Sequence, residues 1–293
     1  MNDEELSFRK HLADYSWALN KNAANNLYFT HQAQNMHALK VWDGTQRLIA
    51  AVHIAADRVK SPEAKYYVKY GLGRRSKAIW FSFRELYQTI PPERDIPLSF
   101  DDAERSSELL NSLYINIRGA LDNVAWAFVN SLGGIKKFGM KETQIGLFSP
   151  QFQREQEFKH ITTLLEPFVE WNKEFKRLRD PAAHRIPLTA IPSLQDSESL
   201  EEYARLQSEW SSKLTEFSTA AANGQHELAE RTKQDADRLF AVLQNTGKYS
   251  PLFDYEPNAK PMPIYPTVPE DVGIYVIILR KSLSLLGEHN EKL

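Results

Sequence analysis

The sequence predicts an all-α protein, a helical bundle that carries an inserted helical hairpin. Three observations predict it. Glycine is sparse, 12 in 293 residues, so the frequent tight turns of a sandwich or barrel are missing. Apolar residues recur at three- and four-residue spacing over long stretches instead of alternating. The 15 prolines gather between those stretches, six of them from Pro251 to Pro269.

Residues 1–40 are polar and Asn-rich and read as a helical extension. The bundle core, 41–192, opens with helices over 41–59 and 77–88, joined by a Tyr-rich, basic connector at 66–75 that contains Gly71 and Gly73. The clearest helix covers 99–132. Ser99-Phe100-Asp101-Asp102 has the capping-box pattern, and Leu109, Leu113, Tyr114, Ile117, Leu121, Val124 and Phe128 form its inner stripe. Gly133-Gly134 stops it, and Gly119-Ala120 would let a neighbouring helix approach closely. Ser149-Pro150 opens the next helical stretch as N-cap and first-turn proline, Pro167 kinks or divides it, and Phe168, Trp171, Phe175 and Leu178 face inward near its end. That end is expected at Arg179-Asp180-Pro181.

Residues 193–246 read as the inserted hairpin, with Leu200, Tyr203, Leu206, Trp210, Leu214 and Phe217 on one stripe and Asn223-Gly224 at the turn. A Pro-rich connector and a last helix make up 247–293. Pro269-Glu270-Asp271 open that helix, it covers 274–286, and Gly287 stops it. Its β-branched stretch 272–278 leaves a strand as the alternative.

Composition removes several function classes. With 36 Lys+Arg against 38 Asp+Glu the net charge is −2, so bulk positive charge cannot hold a nucleic acid and any anion must meet a local patch. The absence of cysteine excludes thiolate zinc sites, iron–sulfur clusters, disulfides and a cysteine nucleophile. An acidic start and apolar runs far shorter than the ~20 residues that span a bilayer suit a cytoplasmic protein with no membrane partner. The eight histidines show no metal-ligand spacing, so neither a metal nor another cofactor is expected.

The segment 175–187 carries the most chemistry. Within six residues it offers Arg179, Asp180 and His184 at a helix end. A guanidinium can clamp a phosphate in bidentate fashion, and an imidazole can trade a proton near neutral pH, which suits phosphodiester chemistry without a metal. On an unbroken helix, residues five apart lie about 140° around the axis. A break at Pro181, with Asp180 capping a short turn, would bring Arg179 and His184 together. Arg177 is a competing partner for His184.

Arg179-Asp180-Pro181-Ala182-Ala183-His184 resembles the R-polar-x-x-x-H signature of the HEPN superfamily, and 113–127 with the Ala-His-Arg-Ile-Pro stretch is similar to an uncharacterised bacterial group within it. The likeness covers 98–192. It implies a metal-independent endoribonuclease of toxin or antiviral-defence type, working as a homodimer and restrained by an antitoxin or defence partner. It implies Arg179 and His184 as the catalytic pair and Asp180 in support, with Asp122 or Asn116 orienting His184 from the long helix. A HEPN-like module without activity, binding nucleic acid, a nucleotide or a protein, is the alternative. Arg118 and Asp122, four residues apart, read as a structural ion pair. Between residues 60 and 77 six basic residues face one acid, interleaved with tyrosines. Lys65, Tyr66, Lys69, Tyr70, Arg74 and Arg75, joined by Arg185, therefore read as an RNA track of phosphate contacts and base-stacking rings.

Overall fold

The computed structural model describes residues 2–19, 23–184 and 186–291, with the side chains at 23–25, 184 and 287–291 outside that description. It is an all-α helical bundle with 77% helix and 3% strand. A 3-10 turn, Asp3–Leu6, and α1 (Phe8–Asp14) lead into α2 (Ala23–Arg58), which runs without a break across residue 40. Leu6, Ala38, Val41, Leu48 and Val52 lie in the core, so the N-terminal stretch packs into the bundle.

Next come α3 (Pro62–Tyr66), a π-helical segment (Tyr67–Leu72) and α4 (Gly73–Thr89), with no loop between them. The expected connector at 66–75 is thus helical. Val68 and Leu72 are buried there, and Gly71 serves close packing: a Cβ on it would lie 2.7 Å from the Asn123 side chain.

At the centre is α5 (Phe100–Ser131), whose Ser99 cap accepts from the Asp102 amide at 3.1 Å. The predicted stripe is buried, and Gly133 and Gly134 both take positive φ at its end. Short elements follow: α6 (Ile135–Phe138), α7 (Pro150–Arg154) capped by Ser149, and α8 (Lys159–Leu165). Pro167 sits in a 3-10 turn that divides α8 from α9 (Val169–His184).

Helix α9 corrects the sequence reading, because it passes through Pro181 and ends only at His184. The proline ring removes a single hydrogen bond, the one to the Arg177 carbonyl, and does so within a turn of the helix end. No break therefore turns His184 back toward Arg179.

Strand β1 (Thr189–Ala190) pairs with β2 (Leu252–Asp254), and β2 with β3 (Met262–Pro263), all antiparallel. Between β1 and β2 the chain makes the predicted hairpin of α10 (Ser197–Ala222) and α11 (His226–Gln244), turned at Gly224 with φ +70°. Trp210 and Phe240 stack across it at 5.2 Å, and Lys248 reaches Asp196 at 2.9 Å at its base.

The last helix, α12 (Ile264–Glu291), starts earlier and ends later than expected. Tyr265 is extended, so Pro266 is the first helical residue, where an amide would be unpaired anyway, and Pro269 removes only the bond to the Tyr265 carbonyl, which accepts from Gln34 Nε2 at 3.3 Å instead. Val272, Tyr275, Val276 and Leu279 are buried at helical spacing, so packing overrides their β-branched preference. From α12, buried Asp271 accepts hydrogen bonds from Tyr114 Oη on α5 and Trp171 Nε1 on α9, each at 2.7 Å. This three-helix tie holds α9 against α5 two turns before Arg179. Among the described residues no helix is long and apolar enough to cross a membrane.

Candidate functional site

Helices α4, α5 and α9 bring a set of charges together. Arg75 on α4 lies flat against Gly119 of α5, where a Cβ would come within 2.2 Å of its guanidinium carbon. Its Nη1 donates to Asn116 Oδ1 at 3.2 Å, while the Asn116 amide nitrogen is held by the Ser112 carbonyl at 2.8 Å. One turn along α5, Arg118 Nη2 stands 3.3 Å from Asp122 Oδ1. Gly146 backs that pair so closely that a Cβ would sit 3.1 Å from the same carboxylate oxygen.

From α9, Arg179 faces this group. Its Nη1 donates to Asp180 Oδ1 at 2.9 Å, and its side chain is only 25% exposed. Burial pushes the Asp122 carboxyl up, against the opposing pull of Arg118, Arg179, Arg75 and Lys176. Four cations thus act on a carboxylate that already costs energy to keep charged.

The hydrogen bonding is incomplete. Arg118 Nη1, Asp122 Oδ1 and Arg179 Nε are buried without a hydrogen-bond partner among the described residues. Each unmet buried polar atom costs about 1–3 kcal/mol. Guanidinium groups suit anions with several oxygen acceptors, a phosphate among them.

The residues singled out in the sequence divide into three groups. Arg179, Asp180, Asp122, Asn116 and Arg75 belong to the cluster. Arg177 does not: about 200° around α9 from Arg179, it pairs with Glu174 at 2.8 Å and touches Tyr255 Oη at 3.5 Å. The glutamate raises its already high pKa further. His184 is the last residue of α9, its side chain lies outside the described residues, and Arg185 lies outside them altogether.

The basic, Tyr-rich segment splits as well. Tyr66 and Tyr70 are 60% and 44% exposed, with ring centroids 5.5 Å apart, and Lys69 and Arg74 both lie over the Tyr70 ring. Lys65 leans toward Asp57 at 3.6 Å. Tyr67 turns inward and stacks on Trp126 at 5.1 Å, and Arg75 turns into the cluster instead of lining the surface.

Sequence reasoning left Arg118 as half of an ion pair and passed over Lys176. The adjacent Gly119 was the available signal, since a glycine on a helix face marks where another side chain crosses. Among the described residues no group of His, Asp or Glu gathers as a metal site requires. Neither a family model, nor a curated protein, nor a solved structure matches this chain.

Proposed function

We propose that this chain is a metal-independent endoribonuclease of toxin or antiviral-defence type that acts as a homodimer and cleaves RNA by attack of a ribose 2′-hydroxyl. The observation that carries the reading is the set of cations acting on Asp122, with N–H groups of Arg118 and Arg179 unpartnered among the described residues. In this reading Arg179 and Arg118 take the non-bridging oxygens of the scissile phosphate. His184 draws the proton from the 2′-hydroxyl, whose oxygen bonds to phosphorus as the P–O5′ bond breaks. The leaving 5′-oxygen takes up a proton, so the products are a 2′,3′-cyclic phosphate and a 5′-hydroxyl.

On the continuous helix α9, positions 179 and 184 lie about 140° apart around the axis. The reading therefore needs the dimer, with His184 of one copy serving the phosphate held by the other. Asp180 keeps Arg179 in place, and the Tyr66 and Tyr70 rings stack on unpaired bases outside the cleft. The same angular separation favours a second reading, a module that holds the phosphate backbone without cutting it.

Purified protein incubated with end-labelled single-stranded RNA in excess EDTA separates the two. Cleavage to cyclic-phosphate ends, lost in Arg179→Ala and His184→Ala, is the expected result. Tight binding without cutting selects the second reading, and unchanged cutting by His184→Ala overturns the first.

A further inference from the structure

Beside the cation cluster lies a cavity of about 320 Å³ that the phosphate chemistry leaves unused. Lys176 and Asp180 belong to both, since Asp180 holds Arg179 and the charge of Lys176 reaches Asp122. The cavity walls are flat and apolar where Pro181, Ile186, Tyr255 and Pro257 line them. The Tyr255 hydroxyl is steadied by Arg177, which is itself held by Glu174. The next residue, Glu256, starts a tight turn in which the Ala259 amide donates to the Glu256 carbonyl at 3.1 Å and Asn258 takes φ +66°. Glu256 lines the cavity, and its side chain feels the charge of Arg177 and makes no hydrogen bond or close ion pair among the described residues.

We infer that this cavity takes a guanine base, that of the nucleotide joined to the phosphate held by the arginine cluster. The inference rests on the RNA-cleavage reading and adds a base preference to it. The volume lies within the range of small-molecule sites, and a lining that includes a tyrosine ring and two prolines offers flat surfaces to a base. The edge decides which base. A carboxylate presents two acceptors side by side, and only guanine presents two adjacent donors, N1–H and the N2 amino group. Adenine and cytosine would set a ring acceptor against one carboxylate oxygen, and uracil a carbonyl. Lys176 and Arg177, the latter beside Tyr255, also line the cavity and suit the guanine O6 and N7 acceptors.

Calorimetric titration with the 3′-monophosphates of guanosine, adenosine, cytidine and uridine, and with inorganic phosphate, tests this. Guanosine 3′-monophosphate is expected to bind at least tenfold more tightly than the other three. Glu256→Gln should remove that preference and leave inorganic phosphate binding unchanged. Tyr255→Ala should weaken all four nucleotides by a similar factor. Equal affinities in the unaltered protein, or a preference that survives Glu256→Gln, would overturn the inference. Phosphate binding without base preference removes this inference alone, whereas no binding of phosphate or nucleotide removes the anion site with it.

Discussion

Two carboxylates of this bundle, one buried and one half-buried, are treated in opposite ways. Asp271 lies deep in the core, where Tyr114 and Trp171 each give it a neutral donor at 2.7 Å. Asp122 stands among four cations, retains about a third of its side-chain exposure, and still has an oxygen and two neighbouring guanidinium N–H groups without hydrogen-bond partners. The first arrangement is closed and needs nothing more, so it works as a structural tie between α5, α9 and α12. The second is open and carries more positive than negative charge. Burial alone does not mark a functional residue.

The largest difference between the two should appear in catalysis. His184→Ala and Arg179→Ala should each lower the rate of RNA cleavage by about a hundredfold to a thousandfold, the size expected for a lost general base or transition-state donor. Asp271→Asn should leave the rate within a few-fold, read in the same assay.

Stability should show the reverse pattern. Asp271→Ala strands the Tyr114 hydroxyl and the Trp171 N–H, and should cost about 3 kcal/mol in urea unfolding. Acidity sharpens the point. Burial lifts the Asp271 carboxyl from its ordinary 3.8 to about 6, so the folded chain binds that proton more tightly than the unfolded chain. Its contribution is full below pH 4 and falls away as pH rises to 6, by about 3 kcal/mol in all. His37, sealed under the Leu6 carbonyl, goes the other way: burial lowers it from 6.5 to about 4, so folding gains as pH climbs through that same range. Asp271→Asn should remove one of these opposing contributions and steepen the rise of stability between pH 4 and 6, measured by urea unfolding at three pH values.

Smaller effects belong to the surface. Tyr66→Ala and Tyr70→Ala should each weaken single-stranded RNA binding by roughly tenfold, one lost stacking ring apiece, with no change in unfolding because both rings are exposed. Asp122→Asn should leave stability at neutral pH within about 1 kcal/mol, because burial already disfavours the charged carboxylate. Added phosphate should then stabilise that variant more than it stabilises the parent, as a thermal shift would show.

What the sequence disclosed follows the same division. Helix α5 was legible because a serine cap, a wide apolar stripe and a Gly-Gly stop all lie within one segment. The α10–α11 hairpin was legible for the same local reasons. The end of α9 was not, because a proline reads as a terminator and only packing decides that a helix continues one turn past it. Likewise Gly71 looks like a loop residue until α5 is seen lying against it. Arg179, Asp180 and His184 were visible as a short motif, but the cluster was not. Arg75 and Arg118 are 43 positions apart in sequence, and they meet near Asp122 only because α4 and α5 pair closely at Gly119.

The most direct test of the contrast is the affinity for a short single-stranded RNA carrying 2′-deoxy sugars, which binds without being cut. Arg118→Ala and Arg179→Ala should each weaken binding at least tenfold, while Asp271→Asn leaves it unchanged. Equal affinity in all three variants would mean that the unsatisfied cluster is no more a ligand site than the closed carboxylate in the core.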